Sequence, residues 1–529
     1  MNDRHDLLIK GGTVIDGTGS TGTRADVAVR DGRISAIGDL QMALADEVID
    51  ATGAFVAPGI VDAHTHYDAQ LFWDPDASPS NVHGVTTVVG GNCGFTIAPI
   101  RSEDTAYTRE MLASVEGMPV EALEAGAPWD WETFGEFLDR LDGDIGVNAT
   151  FMVGHCALRR YVMGPDSVGD EATPEQVEEM RRVLAESLEA MLDGCLDRFS
   201  DDEVELLVSM SATAGRPVNW NVMTLDSSDP DRMTHQLAAD DRARESGGRV
   251  VALTMPVQVP MNMSFLNHCG LFLLPGWGDV LRLPVPERIE KLRDPEIQAM
   301  LVERSKSEEA GIFRRLADFA NYQIGDTYSD ENDGLTGCRV GDIAAERGTD
   351  PFATLIDIVI ADGLRTVLWP IPPDDDEASW DLRRTAWEDP RAMIGGSDAG
   401  AHLDRMCGAP FPTRFLADCL RGRQLISVER AVQLMTQIPA NLFGLIDRGT
   451  IEVGNHADLF IFDPETIGSE MAALVDDLPA GSRRLTARSR GVHRVFVNGT
   501  VTVVDGEAVG NRPGKVLRSG HDTRTVSTV

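Results

Sequence analysis

Residues 55–66 read FVAPGIVDAHTH. An apolar run of strand length ends in Asp62-Ala63-His64-Thr65-His66. Side chains alternate along a strand, so residues 62, 64 and 66 share one face. If this strand belongs to a barrel, that face looks onto the barrel axis at its C-terminal end, where the reaction centres of such barrels lie. Two imidazoles on one face can share a divalent ion. A bare His-x-His is common on protein surfaces; the buried strand ahead of this one is what gives it weight.

Working outward, the middle of the chain alternates short apolar strands with amphipathic helices. GVTTVVGGN (84–92) reads as a second strand, VNATFMVGH (147–155) as a third, and GRPVNWNVMT (215–224), RVVALTMPVQV (249–259) and PRAMIGGSDAG (390–400) as further ones. TPEQVEEMRRVLAESLEAML (173–192) reads as a helix, opening Thr-Pro and carrying apolar residues at helical spacing. This alternation predicts an α/β fold, a distorted TIM (β/α) barrel with parallel strands. Eight strands are needed and about six are visible. The stretch between Val153 and Asn219 is too short for two more strand–helix units of about 30 residues each. Either the barrel is truncated there or a segment is missing around Cys195–Phe199.

The two ends have another character. DLLIKGGTVID (6–16), RADVAVRDGRISAIG (24–38), GTIEVGNHADLFIFDP (449–464) and GVHRVFVNGTVTVVDG (491–506) alternate apolar and polar residues between Asp-Gly and Asn-Gly turns. They predict a small β-sandwich made by both ends, residues 1–57 and 446–529, around a barrel over 58–445. The region 258–390 is too long for one crossover and reads as an insertion at the barrel mouth.

The chain has 529 residues and a formal net charge of −38. Such a surface repels nucleic acid and anionic membranes, so neither is expected as a partner. Seven cysteines, odd in number and scattered, fit free thiols in a reducing compartment. With no apolar leader and no long apolar run, the expectation is a cytoplasmic protein.

Two more segments carry chemistry. Gly90-Gly91-Asn92-Cys93-Gly94 follows the second strand. Its glycines allow a tight turn, and a Cys93 thiolate beside the His-x-His could ligate a metal; a buried free cysteine is the plainer alternative. Gly395-Gly396-Ser397-Asp398 follows the last strand. Asp398 there can ligate the metal and take the proton of an attacking water, or it can simply hold a turn. His155 ends the third strand and reads equally as ligand, substrate contact or hydrogen-bonded support. Arg159 can hold a carboxylate with its planar fork or lie on a helix surface. His402, four residues past Asp398, is a candidate for orienting the substrate.

PGIVDAHTHYD, GVTTVVGGNCGF, VGHCALR, GGSDAGAHL, LMTQIPANLFGLIDRGTIEVGNHADLFIFDP and RPGKVL together resemble the D-aminoacylase (N-acyl-D-amino-acid deacylase) branch of the amidohydrolases. The resemblance implies a β-sandwich with a distorted TIM barrel, zinc, and hydrolysis of the amide of an N-acylated D-amino acid. It implies His64, His66 and Cys93 as metal ligands and Asp398 as both ligand and catalytic general base and acid. Many other amidohydrolases bridge two metals with a carboxylated lysine, but this chain has no lysine between Lys10 and Lys291. The family's further strand histidines are missing as well: residues 218–222 read VNWNV, and only His235 and His268 lie between His155 and His402. One Zn²⁺ is therefore expected, with a small-molecule amide as substrate; self-association into a homo-oligomer stays open. Two alternatives remain: a cyclic amide or carbamate hydrolase, and a non-catalytic scaffold that has kept the fold.

Overall fold

The computed structural model describes residues 4–186, 192–195, 199–266, 270–370, 372 and 374–528, with the backbone alone at 185–186, 192–195 and 312. His268 and residues 196–198, part of the suspected gap, lie outside the described residues. The chain divides into two compact units. One comprises residues 1–257 and 377–529, the other Gln258–Asp376.

All six strands anticipated in the middle of the chain form, and a seventh joins them. Ile60–Asp62, Val85–Gly90 and Asn148–Phe151 make one parallel sheet. Leu192–Cys195, Val218–Asn221, Val250–Thr254 and Ala392–Ile394 make another. A parallel bridge between Thr65 and Ala399 links the two sheets just beyond their strand ends. The seventh strand, Leu192–Cys195, pairs with Val218–Asn221 in the stretch that reads too short for further units. Among the described residues it does not pair with Asn148–Phe151, so the parallel array stays open there.

Helices fill the crossovers. Thr133 and Ser200 cap theirs with reciprocal side-chain bonds to Glu136 and Glu203, which satisfy backbone N–H groups that lack a helical partner. Val61 and Ala63 pack with Val89, Leu253 and Met393 in one apolar cluster. Burying each of the valine, leucine and methionine side chains contributes about 1.5–3 kcal/mol, and the single methyl of Ala63 about 0.8 kcal/mol. That burial commits residues 61 and 63 to one face and leaves 62, 64 and 66 for the other, as the period of two requires.

Both chain ends meet in a nine-stranded sheet. Leu459–Phe462 runs antiparallel to Phe55–Pro58, with Phe460 opposite Ala57, and joins the N-terminal strands to Val492–Val497 and Thr500–Val504. Leu7, Val27, Val56, Leu459 and Phe496 share its apolar core. Phe55–Pro58 leads directly through Gly59 into the strand that carries the histidines. A Cβ at Gly59 would fall 2.1 Å from Thr86 Oγ1, so only glycine fits this passage. This sheet thus anchors the start of the first parallel strand.

The second unit has its own core. Trp277, Phe319, Tyr322 and Phe352 pack edge-on or tilted within it. It ends at Asp376, so the helix Glu377–Glu388 belongs to the first unit, where Ala386 packs in the cluster of Trp220.

Candidate metal centre

Three segments converge past the ends of the parallel strands. The His-x-His segment lies between the second and last strands: Thr65 N donates to Val89 O at 3.0 Å and His66 N to Ala399 O at 2.7 Å. Ser397 Oγ accepts from Ala399 N at 3.0 Å and donates to His64 O at 3.4 Å. That bond ties the turn carrying Asp398 to the histidine strand. Gly91 has φ 79°, and a Cβ there would sit 2.1 Å from Met152 O. Glycine is thus required where the chain turns toward Cys93. Cys93 and Asp398 have φ of 55° and 51°, a left-handed backbone that is uncommon in side-chain-bearing residues and gathers at functional sites.

The candidate ligands meet. One donor atom from each of His64, His66 and Cys93 lies within 4.8 Å of the others. Cys93 Sγ is 3.6 Å from His64 Nε2. Asp398 Oδ1 is 3.1 Å from His64 Nε2 and 3.5 Å from His66 Nε2. Tetrahedral zinc, with bonds near 2.0–2.3 Å, sets neighbouring N, O and S ligands about 3.3–3.6 Å apart. The donor types and these edges fit such an ion. Both histidines are buried, while the Asp398 side chain keeps 32% of its surface exposed.

The surrounding charges are arranged around that set. Burial opposes ionisation of Asp398, but His64 and His66 outweigh it and hold its carboxyl well below the usual range. Burial likewise opposes a charge on His66, yet Glu116 and Asp398 raise it to about 9. Asp62 ends the strand and Asp68 lies in the turn beyond His66; burial pushes each up to about 6.

Two residues that the sequence reading did not single out belong to the site. Glu116 closes the helix Thr105–Glu116 and is buried, with Oε1 3.7 Å from His66 Nδ1. Asn221 ends its strand with Nδ2 3.2 Å from both ring nitrogens of His64, and donates to Cys93 Sγ at 3.3 Å. The period of two in VNWNV does place 219 and 221 on one face, a signal for Asn221. For Glu116 the only sequence signal is a carboxylate at a helix C-terminus, where the helix dipole disfavours it.

His402 lies one step out. Its Nε2 is 3.9 Å from Glu116 Oε2, its backbone N donates to Glu116 O, and Arg405 Nη2 donates to its Nδ1 at 2.8 Å. His155 and Arg159 are outside the ligand group. His155 opens the helix His155–Met163, with its backbone N 3.6 Å from where a Cβ of Gly94 would be. Arg159 Nη2 donates to Ser167 O at 3.2 Å and Asp170 O at 2.8 Å. None of the described cysteines with placed side chains, Cys93, Cys156, Cys338, Cys407 and Cys419, is in a disulfide. No described helix is long and apolar enough to cross a membrane.

The sequence profile of the amidohydrolase family matches residues 47–201 and 193–509. The restart at 193–201 falls in the stretch where the strand spacing is short. D-aminoacylase of Alcaligenes xylosoxydans xylosoxydans is 31% identical over 528 residues, covering 97% of both chains. N-acyl-D-aspartate deacylase of the same organism is 30% identical over 553 residues, covering 97% of this chain and 95% of that one. A solved D-aminoacylase, described as having a binuclear metal centre with one-metal activation and second-metal attenuation, superposes with a TM-score of 0.60. It is 25% identical, and the match covers 97% of this chain and all of that one.

Proposed function

The chain belongs to the amidohydrolase family, and on that premise we propose that it is a metal-dependent hydrolase of N-acyl amino acids, acting on the D-enantiomers. The observation that carries this reading is the meeting of His64, His66, Cys93 and Asp398 at one point. The full-length likeness to a D-aminoacylase and an N-acyl-D-aspartate deacylase supports the substrate class.

His64, His66 and Cys93 would hold one zinc ion, with one Asp398 oxygen as a further donor and a position left for water. When bound, the ion supplies Lewis acidity toward the scissile carbonyl and acidifies water. Asp398 is the general base: held ionised by its histidine neighbours, it accepts the proton of the attacking water. It then delivers that proton to the departing nitrogen, which must be protonated to leave. Glu116 orients His66, and His402 is held against Glu116. Asn221 lies against the ring of His64 and donates to Cys93, and among the described residues only His64, His66 and Cys93 group as metal donors, which supports a mononuclear site. Packing alone has no need of two buried imidazoles, a thiol and a carboxylate in contact, which disfavours a non-catalytic scaffold. Free thiols fit a cytoplasmic enzyme.

The test is a panel of N-acetyl-D-amino acids, their L-enantiomers and a cyclic amide such as a hydantoin, assayed with zinc-loaded protein. Release of free D-amino acid, with the L-series and the hydantoin intact, is expected. Turnover of the hydantoin alone would overturn the proposal.

A further inference from the structure

The strand Val218–Asn221 ends by setting an amide, rather than an imidazole, against the metal donors. Asn221 is 7% exposed, and its Nδ2 donates to Cys93 Sγ at 3.3 Å. Nδ2 also lies 3.2 Å from both ring nitrogens of His64. The lone-pair directions of those two nitrogens diverge, so an amide nitrogen equidistant from both is aligned with neither. Once one nitrogen of His64 gives its lone pair to an ion, the other carries hydrogen and is a donor. The Cys93 thiolate is then the acceptor that suits Nδ2 in the loaded site.

That bond bears on charge. A thiolate and a carboxylate together cancel the double charge of a zinc ion, whereas neutral imidazoles leave it whole. The more charge the ligands give, the weaker the pull of the ion on water and on a carbonyl oxygen. A hydrogen bond to the thiolate draws on the sulfur electrons that also bind the ion. It acts most strongly in low-polarity surroundings, and here His64, His66 and Asn221 are all buried.

We propose that Asn221 is a positioning residue that acts through Cys93: its amide holds the thiolate in place and lowers the charge that the sulfur gives to the ion. The effect is to keep the ion a strong Lewis acid despite two anionic donors. The proposal rests on the metal-dependent reading above and assigns Asn221 a role within it.

Cobalt(II) in place of zinc makes the effect measurable. A cobalt–thiolate pair has a charge-transfer band in the near ultraviolet, and the band energy falls as the sulfur becomes a better donor. In Asn221→Leu, which is close in size and has no N–H, the band moves to longer wavelength. On zinc-loaded protein the same variant lowers kcat for an N-acetyl-D-amino acid about 10–100-fold, the usual loss when an outer hydrogen bond to a ligand is removed. Asn221→Asp keeps the shape of the side chain and removes both amide hydrogens, so it tests the same shift if the leucine variant fails to fold. Asn221→Gln keeps the amide on a longer stem and recovers part of both losses. If the wild-type band is present and no variant moves it, Asn221 only fills space; the proposal falls and the metal centre stands. A shift without loss of kcat overturns the claim that the bond serves the reaction. If wild-type cobalt protein has no thiolate band, Cys93 is not a ligand and both readings fall. A shifted band in a protein that hydrolyses no N-acyl amino acid keeps the role of Asn221 at the metal and overturns the substrate reading.

Discussion

Glu116 Oε1 lies 3.7 Å from His66 Nδ1, while the opposite nitrogen of that ring, Nε2, faces Asp398 at 3.5 Å. A buried carboxylate at the C-terminal end of a helix is disfavoured twice, by desolvation and by the helix dipole. On the proposed reading its position is explained by its charge, which lies beside His66 Nδ1 and favours the ring orientation that turns Nε2 toward Asp398. Glu116→Gln should therefore lower zinc affinity about 10–100-fold, the usual cost of removing such a support. Competition with a chelating dye measures this. Unchanged affinity would make Glu116 a bystander.

The ligands and the base should separate experimentally. His64→Ala loses zinc and activity together, because it removes one of the two imidazoles. Asp398→Asn keeps zinc on His64, His66 and Cys93 but lowers kcat by about 10²–10⁴-fold, the contribution of a positioned proton-transfer group. Metal content and kcat measured on the same preparations test the division. An Asp398→Asn variant with wild-type kcat would remove Asp398 from the mechanism.

Away from the site, His83 gives the fold a pH dependence. It is fully buried, its Nε2 donating to Ala487 O at 3.1 Å and its Nδ1 accepting from Thr413 Oγ1 at 2.7 Å. Burial lowers it from 6.5 to about 4. The unfolded chain then binds a proton that the folded chain refuses, so stability is full above about pH 6.5 and falls as pH drops toward 4. The loss reaches about 3 kcal/mol at the lower end. In His83→Gln the decline over that window is shallower, so the gap in melting temperature between wild type and variant narrows from pH 7.5 to pH 4.5. A gap independent of pH would contradict this.

What was legible in the sequence follows from how local each signal is. The His-x-His face depends only on strand periodicity and a buried run, and Val61 and Ala63 occupy the opposite face as that period demands. Cys93 and Asp398 follow glycine-rich turns at strand ends, again local signals. Glu116 was not legible, because TAYTREMLASVE reads as an ordinary helix and its burial arises from packing against residues far along the chain. The strand Leu192–Cys195 was hidden because the helical pattern of 173–192 runs into it, so that Leu192 reads as the end of a helix when it opens a strand. The boundary at Asp376 was equally obscure, since the helix after it looks the same whichever unit it packs in.

The central claim, a single zinc on His64, His66, Cys93 and Asp398, is tested most directly by elemental analysis of the purified protein for metal per chain. The account predicts about one equivalent of zinc, retained on dialysis and lost in His64→Ala. No metal, even after incubation with micromolar zinc, would contradict it, and two tightly held equivalents would contradict the mononuclear site.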